Sequence, residues 1–152
     1  MNIDRYTQKA QSLLQAAQTL ALGSGHQKFS PEHLLSVMID DQDGLIKNLI
    51  TFCDGNFELL KAENKTSLEK IPVVQGSGAG NISISQELAR VLILVEKISN
   101  QNSDQFITIE RLLQAILEDD KNEAAKNLKL AGVSVNSLRE AIKKIRAGRK
   151  SD

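Results

Sequence analysis

Two histidines, one cysteine, a glycine-rich stretch and a glutamate that occurs twice in the same setting are the residues of this 152-residue chain whose types could do chemistry. His26 and His33 stand seven positions apart. Neither has a cysteine or carboxylate partner at zinc spacing. A structural role at a surface or half-buried position is expected for His33, in the first turn of a helix. Cys53 ends the apolar run Leu49-Ile50-Thr51-Phe52, which predicts a buried, inert thiol. A single cysteine excludes an internal disulfide and suits a reducing compartment. Gly76-Ser77-Gly78-Ala79-Gly80 has the composition of a phosphate loop, but Asn81-Ile82 follows it and no strand precedes it. A flexible linker explains it better. With no nucleophile, base and orienting group in evidence, no catalytic residue, metal or cofactor is expected, and the chain reads as non-enzymatic.

The glutamates are Glu32 and Glu110, and their surroundings match. Phe29-Ser30-Pro31-Glu32-His33-Leu34-Leu35 lines up with Ile107-Thr108-Ile109-Glu110-Arg111-Leu112-Leu113 at an offset of 78, and that offset holds without a gap from 7–41 to 85–119. A second stretch pairs Lys47-Asn48-Leu49 with Lys126-Asn127-Leu128 at an offset of 79. The chain is therefore read as two similar units in one pseudo-symmetric domain. A carboxylate in a helix's first turn meets free backbone N–H groups and the positive end of the dipole, which is a structural reason to keep it in both copies.

These residues must be positioned by helices. Ile3, Tyr6, Ala10, Leu13, Leu14, Ala17, Leu20 and Ala21 form one stripe at spacings of three and four, with Asp4 as a cap and Gly23-Ser24-Gly25 as the stop. Ser30-Pro31-Glu32 is a helix start: cap, proline at the first position, acid in the first turn. Further helices are expected near 44–53, 56–70, 85–100, 109–119, 122–131 and 135–147, and no run shows sustained β alternation. The expected fold is all-α, about eight helices in two repeats: about 1–70, a Gly-rich linker 71–82, and about 83–148, within one domain 1–148.

Composition narrows the function. Nineteen basic residues balance nineteen acidic ones, so net charge points to neither nucleic acid nor an acidic membrane. The closing stretch is locally basic but lacks the aromatics that stack on bases, and cations suit a helix C-terminus. No signal segment and no run of about 18 apolar residues is present, so a cytoplasmic location is expected.

Function is best sought where the copies differ. In the helix 85–100, Leu88, Val91, Leu92, Val95 and Ile98 make the core stripe. Ile93 and Leu94 lie off its centre, opposite Gln15 and Ala16 of the first unit, so the second unit carries extra apolar surface, with Leu94 and Ile98 on one flank. Burial against the other unit is the competing explanation. Asp104 is also asymmetric, standing opposite His26; it could restrain the loop before Thr108 or meet a partner.

Two copies of a helix, a loop and [Pro/Ile]-Glu-x-Leu-Leu, joined by a Gly-rich segment, resemble the Clp N-terminal repeat domain of Clp-type AAA+ unfoldases. The stretches Asp4-Arg5-Tyr6-Thr7, Gln18-Thr19-Leu20-Ala21-Leu22-Gly23, Pro72-Val73-Val74-Gln75-Gly76-Ser77-Gly78 and Ser85-Gln86-Glu87-Leu88-Ala89-Arg90-Val91-Leu92 look most like the ClpB disaggregase branch. The resemblance implies a substrate-recognition domain of an ATP-dependent disaggregase, a helical module on a mobile linker that begins at 149–152. By the same resemblance, it is expected to bind exposed apolar segments of unfolded or aggregated proteins and to pass them to the AAA+ ring. The ATPase modules are absent from this stretch of sequence. The implied partners are those polypeptides and the parent ring, with neither nucleic acid nor membrane; the parent is a hexamer and the isolated domain a monomer. The implied substrate-binding positions are Leu94 and Ile98, with Thr7, Asp104 and Glu110 as polar positions. Arg111, where some relatives have an apolar residue, shrinks or polarises one groove wall. The alternative is an adaptor-docking module like those of ClpA or ClpC unfoldases, which would take one folded partner tightly in place of many unfolded ones weakly.

Overall fold

The computed structural model describes residues 2–74 and 82–149. Residues 75–81, which hold most of the expected linker, and 150–152 lie outside the described residues.

Eight α-helices carry the fold: α1 (Gln8–Gly23), α2 (Pro31–Ile39), α3 (Leu45–Phe52), α4 (Phe57–Glu69), α5 (Gln86–Gln101), α6 (Ile109–Asp119), α7 (Glu123–Leu130) and α8 (Val135–Arg149). Short polar side chains start most of them. Thr7, Asn56, Ser85, Thr108 and Asn122 each accept a backbone N–H from the first turn of α1, α4, α5, α6 and α7, satisfying donors the helix itself leaves free. At α2 the roles are shared: Pro31 takes the first helical position, and the Ser30 N–H donates to the His33 ring at 3.0 Å.

The first helix departs from its expected start. Asp4 does not cap α1; it lies in a 3-10 turn (Ile3–Arg5), and Thr7 is the cap. The reason is tertiary. The chain at Tyr6–Thr7 is held extended by a parallel bridge to Ile107, in which the Thr7 N–H donates to the Ile107 carbonyl at 3.0 Å and the Ile107 N–H to the Arg5 carbonyl at 2.9 Å. A second parallel pairing joins β1 (Lys28–Phe29) to β2 (Ser83–Ile84), where the Ser85 N–H donates to the Phe29 carbonyl at 2.9 Å. Under the offset of 78, Tyr6 maps on Ile84 and Ile107 on Phe29. The two bridges are thus one contact made twice. Each repeat pairs the segment before its first helix with the segment before the other repeat's second helix.

The helices repeat this exchange. α1 packs on α2 and α5 on α6 inside each repeat, while α3 packs on α8 and α4 on α7 across them. One continuous core results, running from Tyr6 and Leu14 through Leu34, Leu35 and Leu49 to Leu88, Leu112, Leu113 and Leu138. At the α4–α7 seam a buried polar cluster fixes the register. The Asn127 amide donates to Asn64 Oδ1 and Ser67 Oγ, both at 3.0 Å, and the Asn64 amide donates to the Glu32 carbonyl at 3.0 Å. A buried amide that finds its partners only in one alignment of two helices penalises every other alignment. Cys53, at the end of α3, is a buried free thiol whose pKa burial pushes up, in keeping with an inert role.

Candidate functional site

Thr7 and Thr108, the residues that follow the bridged pair Tyr6 and Ile107, line two adjoining surface depressions that form a trough. On one side is a depression of about 460 Å³ lined by Thr7, Asp104, Phe106, Glu110 and Arg146. On the other is one of about 420 Å³ lined by Thr7, Lys9, Leu45, Ile109 and Glu110. Thr7, Thr108 and Glu110 are common to both. The three expected polar positions, Thr7, Asp104 and Glu110, are therefore neighbours in space although they come from two distant parts of the chain. The two apolar positions stand elsewhere. Ile98 is 4% exposed and belongs to the core stripe of α5. It touches a separate depression shared with Arg111, Gln114, Arg139 and Arg146. Leu94, one turn earlier, is half-buried and packs on the core. Of the extra apolar residues in α5, Ile93 is the one that faces water, at 70% exposure.

Each polar residue has an internal task. Thr7 Oγ1 accepts the Ala10 N–H at 3.1 Å as the cap of α1. Asp104 is half-buried, its carboxylate held between two guanidinium groups: Arg111 Nε at 2.8 Å and Arg146 Nη1 at 2.7 Å. Burial alone would raise the Asp104 carboxyl, but the hydrogen bonds and charges of Arg146 and Arg111 outweigh it and hold the pKa below the usual range. Arg146 also donates to Glu110 Oε2 at 3.2 Å and to the Thr108 hydroxyl at 3.0 Å. Arg5 clamps the same loop from outside, donating to the carbonyls of Asp104 and Gln105, both at 3.0 Å. Arg111 does not project into the trough, where an exposed cation would polarise the wall; its guanidinium is turned onto Asp104 and Gln114. The charges around the trough are thus largely neutralised from within.

The matching place in the first repeat has different chemistry. His26 and His33 stand where Asp104 and Arg111 stand in the second. His33 is not at a surface or half-buried position: the two rings are buried against each other, His26 Nδ1 to His33 Nε2 at 2.8 Å. Because His33 Nδ1 accepts from the Ser30 N–H, the proton sits on His33 Nε2, which donates to His26. Burial, and then the neighbouring His26, pushes the His33 pKa down to about 4, and burial lowers that of His26. Glu32, the mate of Glu110, lines a depression of about 690 Å³ with Glu87, Lys121, Glu123, Lys126 and Lys129. Arg146 has Ser67 as its counterpart at an offset of 79, so that position supplies no guanidinium to Glu32. Burial raises the Glu32 carboxyl, and Glu123 and Glu87 add to that shift.

A repeated helix–loop–helix unit with exchanged bridges and an asymmetric trough is an architecture that known proteins share. The family profile described as the Clp repeat (R) N-terminal domain matches residues 5–131. The chain belongs to this family. Over all of its 152 residues it is 40% identical to the chaperone protein ClpB of Agrobacterium fabrum, of which it spans 17%. The N-terminal domain of Hsp104 from Candida albicans has a similar structure, with a TM-score of 0.80, 25% identity, and coverage of 93% of this chain and 91% of that one. A ClpV N-domain, solved as a complex with a VipB peptide, superposes with a TM-score of 0.70 at 15% identity, covering 90% of this chain and 83% of that one. Among the described residues of this Clp N-domain, no group of three or more His, Cys, Asp or Glu is placed to hold a metal, and no helix is long and apolar enough to cross a membrane.

Two residues of the site carry no motif signal in the sequence. Arg146 belongs to the basic end of α8, yet it ties that helix to Asp104 and Glu110. Phe106 stands exposed in the loop before α6, opposite Lys28 of the first repeat. That difference was available to a comparison of the copies carried through the loops as well as the helices.

Proposed function

We propose that this Clp N-domain is the substrate-recognition module of an ATP-dependent protein disaggregase, capturing exposed apolar segments of unfolded or aggregated polypeptides and passing them to the AAA+ ring of its parent chain. The observation that carries the reading is the trough around Thr7 and Glu110. Its charged neighbours are paired with one another, so it offers apolar contact without an uncompensated charge. In this reading Thr7, Asp104 and Glu110 form the polar centre, half-buried Leu94 gives the flank on α5, and Ile98, a core residue, supports that flank from beneath. The similarity of the whole chain to the 17% of ClpB that it matches supports the disaggregase assignment, and the ClpV N-domain with its bound peptide is a precedent for peptide capture on this scaffold. The parent is a cytoplasmic hexamer and the isolated domain a monomer, without nucleic acid or membrane partners.

Capture is weak and reversible. A small apolar trough with few fixed hydrogen bonds gives low selectivity and fast release, with affinities on the order of micromolar or weaker. That suits a segment that must next move to the ring. The test is a two-dimensional NMR titration of the labelled domain with unfolded casein. Shifts clustered on Thr7, Asp104 and Glu110, spreading to Leu94 and Ile98, are expected. No shifts with casein would overturn the reading in favour of docking to a folded adaptor, as on ClpA- or ClpC-type unfoldases.

A further inference from the structure

Phe106 is 46% exposed, a large aromatic ring facing water beside Thr7 and Glu110. It is not loosely placed. On its N-terminal side, Asp104 is fixed by Arg111 and Arg146, and Arg5 holds the Asp104 and Gln105 carbonyls. On its C-terminal side, Ile107 is fully buried and bridged to the first repeat, and Thr108 caps α6. The ring is therefore presented from a backbone secured at both ends, and little further order is lost when something packs on it. An exposed aromatic on a pre-ordered loop is the residue type that dominates recognition surfaces, since it brings large contact area at low entropic cost.

The other repeat supplies the comparison. Lys28 stands where Phe106 stands and Glu87 where Lys9 stands. The depression at Ser30 and Glu32, which Lys28 does not line, is lined by Glu87, Lys121, Glu123, Lys126 and Lys129. The loop before α2 therefore presents a cation and leads into a charged depression, whereas the loop before α6 offers a ring beside charges that are already paired. The two surfaces share one backbone plan and differ in what they can bury.

We infer that Phe106 is the apolar anchor of the trough, the ring on which an uncharged, apolar side chain of an extended polypeptide packs, and that Asp104, Arg111 and Arg146 act as positioning residues that hold its loop. The inference rests on the peptide-capture reading above. It adds that capture is confined to the second repeat's surface and that the network's carboxylates act through the loop.

The experiment is fluorescence-anisotropy binding of labelled, unfolded α-casein to the domain. Phe106→Ala should weaken binding on the order of tenfold, and Phe106→Lys, which copies the first repeat, by at least as much. Phe106→Leu should keep most of the affinity, and Lys28→Ala all of it. Asp104→Asn should also weaken binding, but with faster amide hydrogen exchange at Gln105–Thr108, an effect Phe106→Ala should not produce. Thermal melts report whether each variant is folded, and in the unmutated domain the Phe106 ring signals should broaden on adding casein. Wild-type binding with Phe106→Ala and Phe106→Lys within twofold of it, or ring signals unmoved, would overturn the role of Phe106 and leave the capture reading standing. Absence of binding by the wild-type domain would overturn both.

Discussion

Acidification should weaken this domain through one buried ring. His33 is 0% exposed, accepts the Ser30 N–H on Nδ1 and donates from Nε2 to His26. A second proton on His33 would cost it the Ser30 bond, and a proton on His26 Nδ1 would set two donors against each other. The pKa of His33 is lowered from 6.5 to about 4. A group whose folded pKa is depressed takes up its proton first in the unfolded chain. Its contribution is therefore whole above about pH 6.5 and drains away as pH falls to about 4. That interval of about 2.5 pH units corresponds to about 3 kcal/mol. His26 is 8% exposed and lets some water reach the pair, so about 2 kcal/mol is the firmer figure.

The perturbation that isolates the effect is His33→Gln. Glutamine at this position can still accept the Ser30 N–H, as in a capping box, and does not titrate. The assay is urea denaturation followed by helical circular dichroism, from pH 7.5 to 4, on both proteins. Carboxylates held below their usual range (Asp104, Glu118 and Asp119) and the raised Glu32 are common to both and cancel in the difference. Wild type should be the more stable at pH 7.5, and the gap should shrink by about 2 kcal/mol on reaching pH 4. A gap that is constant with pH would refute the argument, because it would mean that His33 titrates alike in the folded and unfolded chains.

Two further outcomes can be checked by the same denaturation assay. Asn127→Ala removes the donor shared by Asn64 and Ser67 at the α4–α7 seam; it should cost about 1–3 kcal/mol, because polar atoms are then left buried without a partner. Leu94→Glu, at a half-buried position, should be tolerated within about 1–2 kcal/mol, whereas Ile98→Glu would place a charge in the core and should largely unfold the domain. Leu94→Glu is accordingly the variant to carry into casein binding, where a lower affinity is expected.

Much of the fold was legible because its signals are local. Spacings of three and four marked α1 and α5, and Ser30-Pro31-Glu32 marked the start of α2. What escaped was what depends on the partner repeat. A period of two cannot be read from pairings of two residues, so the β1–β2 strands and the Tyr6–Ile107 bridge left no trace. The bridge in turn moved the start of α1 from Asp4 to Thr7, because an extended Tyr6 cannot also be helical. A repeat in sequence does not say whether its contacts form within a copy or between copies. Thus the offset of 78 was visible while the exchange of bridges and of α3–α8 and α4–α7 contacts was not. Thr7, Asp104 and Glu110 come together, whereas Ile98, apolar in sequence, is apolar because it is core. Periodicity does not separate a contact surface from a buried one.

The pair of positions occupied by His26–His33 in one repeat and Asp104–Arg111 in the other bears on why the charges exist at all. The histidine pair shows that the scaffold can fill this place with two neutral, hydrogen-bonded rings. A buried ion pair is on balance no more stabilising than a neutral replacement of similar size, since desolvation consumes most of the attraction. Stability alone therefore does not account for the set Asp104, Arg111, Glu110 and Arg146, and geometry does: it fixes the 104–108 loop and the end of α8 together. Copying the first repeat, with Asp104→His and Arg111→His in one protein, separates the two explanations. If the network serves position, the variant should stay folded, within about 2 kcal/mol of wild type by urea denaturation, yet bind casein several-fold more weakly and exchange its Gln105–Thr108 amides faster. A variant that loses stability while its folded fraction binds casein as wild type does would show that the charges serve the fold alone.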